Sequence, residues 1–229
     1  MTILYEDNHI IAVNKSVSEI VQVDKTGDKA LEDTLKEYIK EKYQKPGEVF
    51  LGVVHRIDRP VSGVVLFART SKALTRLNAM FKEKSVEKIY WAIVKQKPPK
   101  NEDTLVHYLV RNTKTNKSFC HEKEITGSKQ AILHYKWLVS SDVYHLLEIR
   151  LETGRHHQIR SQLSTIGCPI RGDLKYGFPR SNKDGGISLH SRKIRFIHPV
   201  RDEELIIEAP TPDDKLWMAF LEILKSGHS

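Results

Sequence analysis

Cysteine is scarce in this chain of 229 residues: only Cys120 and Cys168 occur, far apart and without a CxxC spacing. That excludes a disulfide framework and a cysteine-based zinc site, and it fits a reducing cytoplasm. Long apolar runs are missing as well. No stretch approaches the ~18 residues of a membrane span, and the amino terminus "MTILYEDNHIIAVNK" carries acids where a secretory signal needs a basic region. Neither GxGxxG nor a Walker A run is present, so nucleotide-cofactor folds lose ground. Repeats, low-complexity tracts and Gly/Ser linkers are also lacking, and the economical expectation is one catalytic-sized domain over 1–229.

Positive charge is what the chain has in excess. Lys and Arg number 37 against 29 Asp and Glu, for a net charge of +8 in an otherwise ordinary globular composition with 39% hydrophobic residues. Such a balance favours a polyanionic partner, with simple solubility as the plainer explanation.

Periodicity outlines the elements. "ILYEDNHIIAVNK" reads as two short strands around a turn at Asp7-Asn8. Residues 30–43 place Leu31, Leu35, Tyr38 and Ile39 on one face of a helix that Lys45-Pro46-Gly47 ends. A second helix is predicted over 70–84, capped by Thr70 or Ser71, with Leu74, Leu77, Met80 and Phe81 as its apolar face. "EKIYWAIVK" (87–95) and "YHLLEIRLET" (144–153) read as strands, the second with both faces partly covered. Residues 96–130 are polar and basic with little period, and are expected to form a mobile, substrate-facing excursion. Helical spacing returns at 155–166, closed by Gly167. Strands are expected at 187–199 and 203–210, then a helix over 213–224 with Asp213 at its acidic start and Trp217, Phe220, Leu221 and Leu224 on one side. Strands interrupted irregularly by helices imply an α+β class with a mixed, largely antiparallel sheet.

Two charged clusters carry chemistry. In "GVVHRIDRPVSGVVLFART" (52–70), an extended backbone puts Arg56 and Asp58 on one side and Ile57 on the other. A carboxylate kept ionised by the neighbouring cation can act as nucleophile or base, and the plainer reading is a sheet-edge ion pair. In "LETGRHHQIRSQLSTIGCPIRGDLKYG" (151–177), Arg155, Arg160 and Arg171 surround a strand-to-helix turn at Thr153-Gly154, an arrangement suited to phosphate. His156 and His157 are adjacent and point apart, without the spacing of a metal site. Tyr90 alone reads as a core phenol.

Taken together, these stretches resemble the RluA-type family of RNA pseudouridine synthases along nearly the whole chain. "HRIDRPVSGVVLFARTSKALTRLNAMFKEKSVEKIYWAIV" (55–94) is similar to that family's HRLDxxTSG signature with the helix and K-x-Y strand that follow. The block at 151–177 resembles TGRxHQIRxH...GxPIxGDxxYG, and "IIEAPTPDD" (206–214) resembles the family's close. The resemblance implies the pseudouridine synthase fold, a bent mixed sheet with flanking helices and a central cleft. It implies isomerisation of uridine to pseudouridine in structured rRNA or tRNA, with no cofactor and no metal.

By the same resemblance, Asp58 stands at the catalytic aspartate, Tyr90 at the tyrosine that stacks on the target base, and Arg160 at the basic partner of the aspartate. Arg56 takes the position that steadies flipped-out RNA. His157 and Gln158 match the HQ pair supporting the site, and His55 and Arg155 join them as substrate-binding candidates. The chain departs from the family at Lys15-Ser16-Val17-Ser18, where K-P-x-G is usual, at Val61 for the Thr of TSG, and at Ser161-Gln162. The first strand begins by about residue 3, so an S4-like RNA-binding module ahead of it is expected to be absent. RNA selection is then expected from the catalytic domain, including residues 96–130, acting as a monomer.

The reaction breaks the N1–C1′ bond, turns the uracil and rejoins it through C5. Uracil leaves as a delocalised anion and is recaptured, so one aspartate suffices where a glycoside hydrolase typically needs two carboxylates. Asp58 could attack C1′, add to C6, or abstract the 2′-proton. The target base must leave its stack, at a cost of roughly a few kcal/mol. Two other classes compete: a non-catalytic RNA-binding or folding factor that keeps the fold, and a metal-dependent nuclease, which lacks a carboxylate cluster.

Overall fold

The computed structural model describes residues 1–24 and 27–227. It is α+β and separates into two compact units, Met1–Val86 with Ser191–Pro210, and Glu87–His190 with Thr211–Ser229.

In the first unit, the expected opening hairpin is β1 (Thr2–Glu6) and β2 (Ile10–Lys15), antiparallel. Asp7 shapes its turn by accepting the His9 and Ile10 N–H groups at 2.7 and 2.8 Å. β2 pairs antiparallel with β4 (Ser62–Ala68), which also carries the two-residue β3 (Gly52–Val53). Both faces of β2 and β4 are covered, which is why they read as continuous apolar runs. On one face, α1 (Leu31–Lys42) packs Leu31, Leu35 and Ile39 against Ile11, Val13, Val65 and Phe67. On the other, α2 (Ser71–Lys82) sets Ala73 and Leu77 against Ile10, Val64 and Leu66, with Thr70 Oγ1 capping the Ala73 N–H as expected. Gly63 has φ +112°, and a Cβ there would lie 2.2 Å from the Ser191 carbonyl oxygen, so only glycine permits this approach of β4 to β10 (Leu189–Ile197). β11 (Glu204–Glu208) closes the unit antiparallel to β10.

The second unit is an antiparallel sheet in the order β5 (Glu87–Val94), β9 (His145–Leu151), β8 (Lys129–Ser140), β6 (Glu102–Asn112), β7 (Lys117–His121). Residues 96–130 are therefore not an irregular excursion: they are organised around the β6–β7 hairpin and lead into β8. In β6 the buried positions are Leu105, His107 and Leu109, so a histidine interrupts the apolar alternation that would have announced the strand. His107 is accommodated because its Nδ1 meets the Gln162 side-chain amide at 3.0 Å.

α3 (Gln158–Thr165) is shorter than the 155–166 expected, because His157 sits at φ +53° and cannot continue a right-handed helix backwards. A 3-10 turn, Leu174–Tyr176, follows it. α4 (Lys215–Ser226) buries Trp217 and Phe220 on Ile93 and Leu146, and its cap is Asp214, which accepts the Leu216 N–H at 2.9 Å; Asp213 lies one residue too early.

Candidate active site

The candidate residues divide between the units: His55, Arg56 and Asp58 lie in the first, Tyr90, Arg155, His157, Gln158 and Arg160 in the second.

In the first unit, the HRID segment links β3 to β4. His55 is fixed by the Leu66 N–H, which donates to its Nε2 at 3.0 Å, and by stacking on Phe81 with centroids 5.1 Å apart. Ile57 packs into the α1-side core, while Arg56 is exposed and Asp58 half-buried. That matches the alternation of an extended strand leading into a turn. The chain then reverses at Asp58–Val61, closed by the Val61 N–H on the Asp58 carbonyl at 3.0 Å.

Lys15 anchors that reversal. Its side chain is completely buried at the end of β2, and its ammonium donates to the carbonyls of Ser16 (2.8 Å), Glu19 (2.8 Å) and Arg59 (3.1 Å). The Arg59 carbonyl also accepts the Ser18 N–H at 3.0 Å. The Arg59–Pro60 peptide, one residue beyond Asp58, is thus held by two donors from the 15–18 turn. Burial drives the Lys15 pKa down to about 8, against the opposing pull of the Glu19 and Asp58 carboxylates. Ser18 occupies the left-handed region at φ +70°, where the resembling family has glycine, so the turn carries backbone strain.

In the second unit, Tyr90 is buried on β5 in register with Ile149, which in turn pairs with Tyr135 of β8. The turn from β9 into α3 is held by Gln158: its Oε1 accepts from Thr153 Oγ1 (2.8 Å) and the Arg155 N–H (2.9 Å), and its Nε2 donates to the Ile132 carbonyl (3.1 Å). Gln158 therefore shapes the turn. Its neighbour His157 does not point away from His156 as adjacency suggested: with His157 in the left-handed region, the two rings stack at 3.7 Å between centroids. His157 accepts at Nδ1 from the Tyr176 hydroxyl (3.0 Å), which itself accepts the Ser118 N–H (2.8 Å). Burial first, and then the positive charges of Arg160, His156, Lys175 and Arg111, hold His157 neutral with a pKa pushed down to about 2.

Arg160 is buried and forms a bidentate pair with Asp173: Nε to Oδ2 at 2.7 Å and a terminal nitrogen to Oδ1 at 2.9 Å. The guanidinium lies over the Tyr176 ring at 5.0 Å. The other two arginines of the block look elsewhere. Arg155 is exposed and donates to the Gln130 carbonyl; Arg171 donates to Ser188 Oγ and lies 5.7 Å from the Tyr144 ring centroid. The structure thus gives the three arginines separate partners and not one phosphate cradle. Asp173 and Lys15 are the structural participants that residue-by-residue reasoning missed. The only signal for Asp173 was its place in the GD step of the resembling block. Among the described residues, no group of three or more His, Cys, Asp or Glu side chains is placed to hold a metal.

The first unit thus holds a positioned carboxylate and an exposed arginine on the β3–β4 link, and the second unit holds a buried tyrosine and a buried arginine. Comparison with known proteins agrees with that chemistry. Residues 9–165 match the family described as RNA pseudouridylate synthase. The chain is 31% identical to tRNA pseudouridine synthase C of Vibrio parahaemolyticus, covering 93% of this chain and 91% of that protein. It is 35% identical to ribosomal large subunit pseudouridine synthase C of Rickettsia prowazekii, covering 92% of this chain and 68% of that protein. Among solved structures, human RNA pseudouridylate synthase domain containing 4 shares its fold with a TM-score of 0.79 at 24% identity, over 98% of this chain and 93% of that one.

Proposed function

Because the chain belongs to the RluA-type family of RNA pseudouridine synthases, we propose that it isomerises specific uridines in structured tRNA or rRNA with Asp58 as the nucleophile. The observation that carries this reading is the clamp on the aspartate: its own carbonyl is bound by Val61, and the next carbonyl, that of Arg59, is bound by Ser18 and the buried Lys15. A nucleophile gains most from a fixed attack geometry, since misplacement by about 1 Å can cost a hundredfold in rate.

Asp58 attacks the target nucleoside, the N1–C1′ bond breaks, C5 bonds to C1′, and the transient bond to Asp58 breaks to return the carboxylate. The C5 hydrogen leaves as a proton and N1 takes one up, so the product is an isomer and no co-reactant is consumed. The uridine must first leave its stack. Tyr90 then stacks on the extruded base, and the exposed Arg56 steadies the displaced RNA. Arg160, fixed by Asp173, holds positive charge at the site without competing for a proton, since a guanidinium stays charged at every working pH. The net charge of +8 supplies a sequence-independent grip on phosphates.

The test is chemical mapping of pseudouridine in cellular RNA incubated with the protein, with Asp58→Asn alongside. The wild-type protein should modify defined uridines and the variant none. Equal product from both would remove Asp58 from its role, and a folding factor that merely keeps the fold would give no product from either.

A further inference from the structure

The β6–β7 hairpin combines features that no part of the proposed chemistry uses. Between Asp103 and Glu122 the chain carries no acidic residue, and Arg111, Lys114 and Lys117 cluster at the hairpin tip. The tip is built to hold its shape. Asn112 Oδ1 accepts the N–H groups of Lys114 and Thr115 at 3.0 and 3.1 Å, Arg111 donates to Asn116 Oδ1 at 3.0 Å, and Lys175 reaches the Asn116 carbonyl at 3.1 Å. Below the tip, Ser118 ties β7 to the α3 turn through the His156 carbonyl at 2.7 Å and the Tyr176 hydroxyl at 2.8 Å.

The two faces of the hairpin differ. Leu105, Leu109 and Ser118 are buried on the face toward α3. On the opposite face Val110 pairs with Phe119 and Tyr108 with His121, and Phe119 is 44% exposed. Lys117 lies 5.5 Å from the Phe119 ring centroid. Leaving an aromatic ring in water at a rigid, basic hairpin forfeits burial that the fold could have taken. Exposed rings beside cations are what unpaired nucleic acid binds: each base has a face to stack and each linkage a charge to neutralise.

We propose that the outer face and tip of this hairpin form a second RNA contact, in which Tyr108 and Phe119 stack on unpaired bases while Arg111, Lys114 and Lys117 hold the adjacent phosphates. The contact rests on the reading of the chain as an RNA-modifying enzyme and adds to it a preference for substrates with single-stranded segments. It also explains how selection is distributed: the ring pair reads whether bases are stacked among themselves, and the lysines read only charge.

The full-length protein is titrated with a labelled single-stranded RNA oligonucleotide of mixed sequence and with the same strand as a blunt duplex. The Tyr108→Ala/Phe119→Ala variant should weaken single-strand binding by roughly tenfold or more and leave duplex binding near wild type. Lys114→Gln/Lys117→Gln should weaken both RNAs and lower the salt slope by roughly one to two. Circular dichroism and urea unfolding check that each variant is folded, and Phe119→Leu serves as a milder replacement if the alanine pair is not. Equal losses on both RNAs from the aromatic variant, or none on either, would overturn the proposal. A parallel single-turnover assay at saturating cellular RNA separates the two readings. Wild-type protein that makes no pseudouridine defeats the functional reading, whereas loss of single-strand preference with unchanged turnover supports the hairpin contact alone.

Discussion

Lys15 and Arg160 are both cations taken out of water, one in each unit, and they are treated in opposite ways. Arg160 receives a carboxylate, Asp173, in a two-bond fork, and its charge is matched at close range. Lys15 receives three backbone carbonyls, which satisfy its protons but match its charge only in part, and its pKa falls to about 8. The difference follows from the side chains. A planar guanidinium fits a carboxylate edge to edge and cannot release its proton, whereas an ammonium fits a tripod of acceptors and can. One buried cation is therefore a fixed charge and the other a clamp whose charge depends on pH.

The largest effect is expected where the matched pair is broken. Asp173→Asn removes the countercharge beside buried Arg160 and should cost about 3 kcal/mol or more in urea unfolding. A loss below about 1 kcal/mol would show that the pair is not the main support of α3. The next effect tests the unmatched cation. Lys15 binds its proton less tightly folded than unfolded, so the folded state is penalised below pH 8 and the penalty is relieved as pH rises toward 10.5. Over that window wild type should gain about 3 kcal/mol relative to Lys15→Met. Parallel unfolding curves for the two proteins would contradict it.

His157 extends the comparison, because it is a neutral group held among cations. Its pKa of about 2 lies far below the ordinary 6.5, so the unfolded chain takes up a proton first and stability falls as pH drops below 6.5. His157→Asn tolerates the left-handed backbone and does not titrate; between pH 6.5 and 5.5 it should lose about 1 kcal/mol less than wild type. The smallest effect concerns the turn that holds Lys15. Ser18→Gly relieves the positive φ at some cost in chain entropy and should stabilise by about 0.5 kcal/mol, read as a small rise in melting temperature.

Much of the fold was legible because amphipathic spacing is a direct image of packing. α1 and α2 follow the predicted apolar faces, and Thr70 caps where expected. β6 was not legible: His107 occupies an inward position and is made tolerable by Gln162, a residue 55 positions away that no local pattern reveals. α3 begins late because His157 takes a left-handed backbone, which the apolar spacing does not reveal. Of the proposed site residues, Asp58 and Arg160 stand in contiguous motifs that single them out in the sequence. Lys15 is not singled out there, because a lysine at a strand end ordinarily reaches solvent, and its acceptors at Glu19 and Arg59 are brought together only by the fold.

The most direct test of the account follows the hydrogen that the reaction must release. RNA carrying tritium at C5 of uridine is incubated with wild-type protein and with Asp58→Asn, and the label entering water is counted. The account predicts release by the wild type in step with pseudouridine formed and none above background from the variant. Release by the Asn variant at the wild-type rate would contradict it.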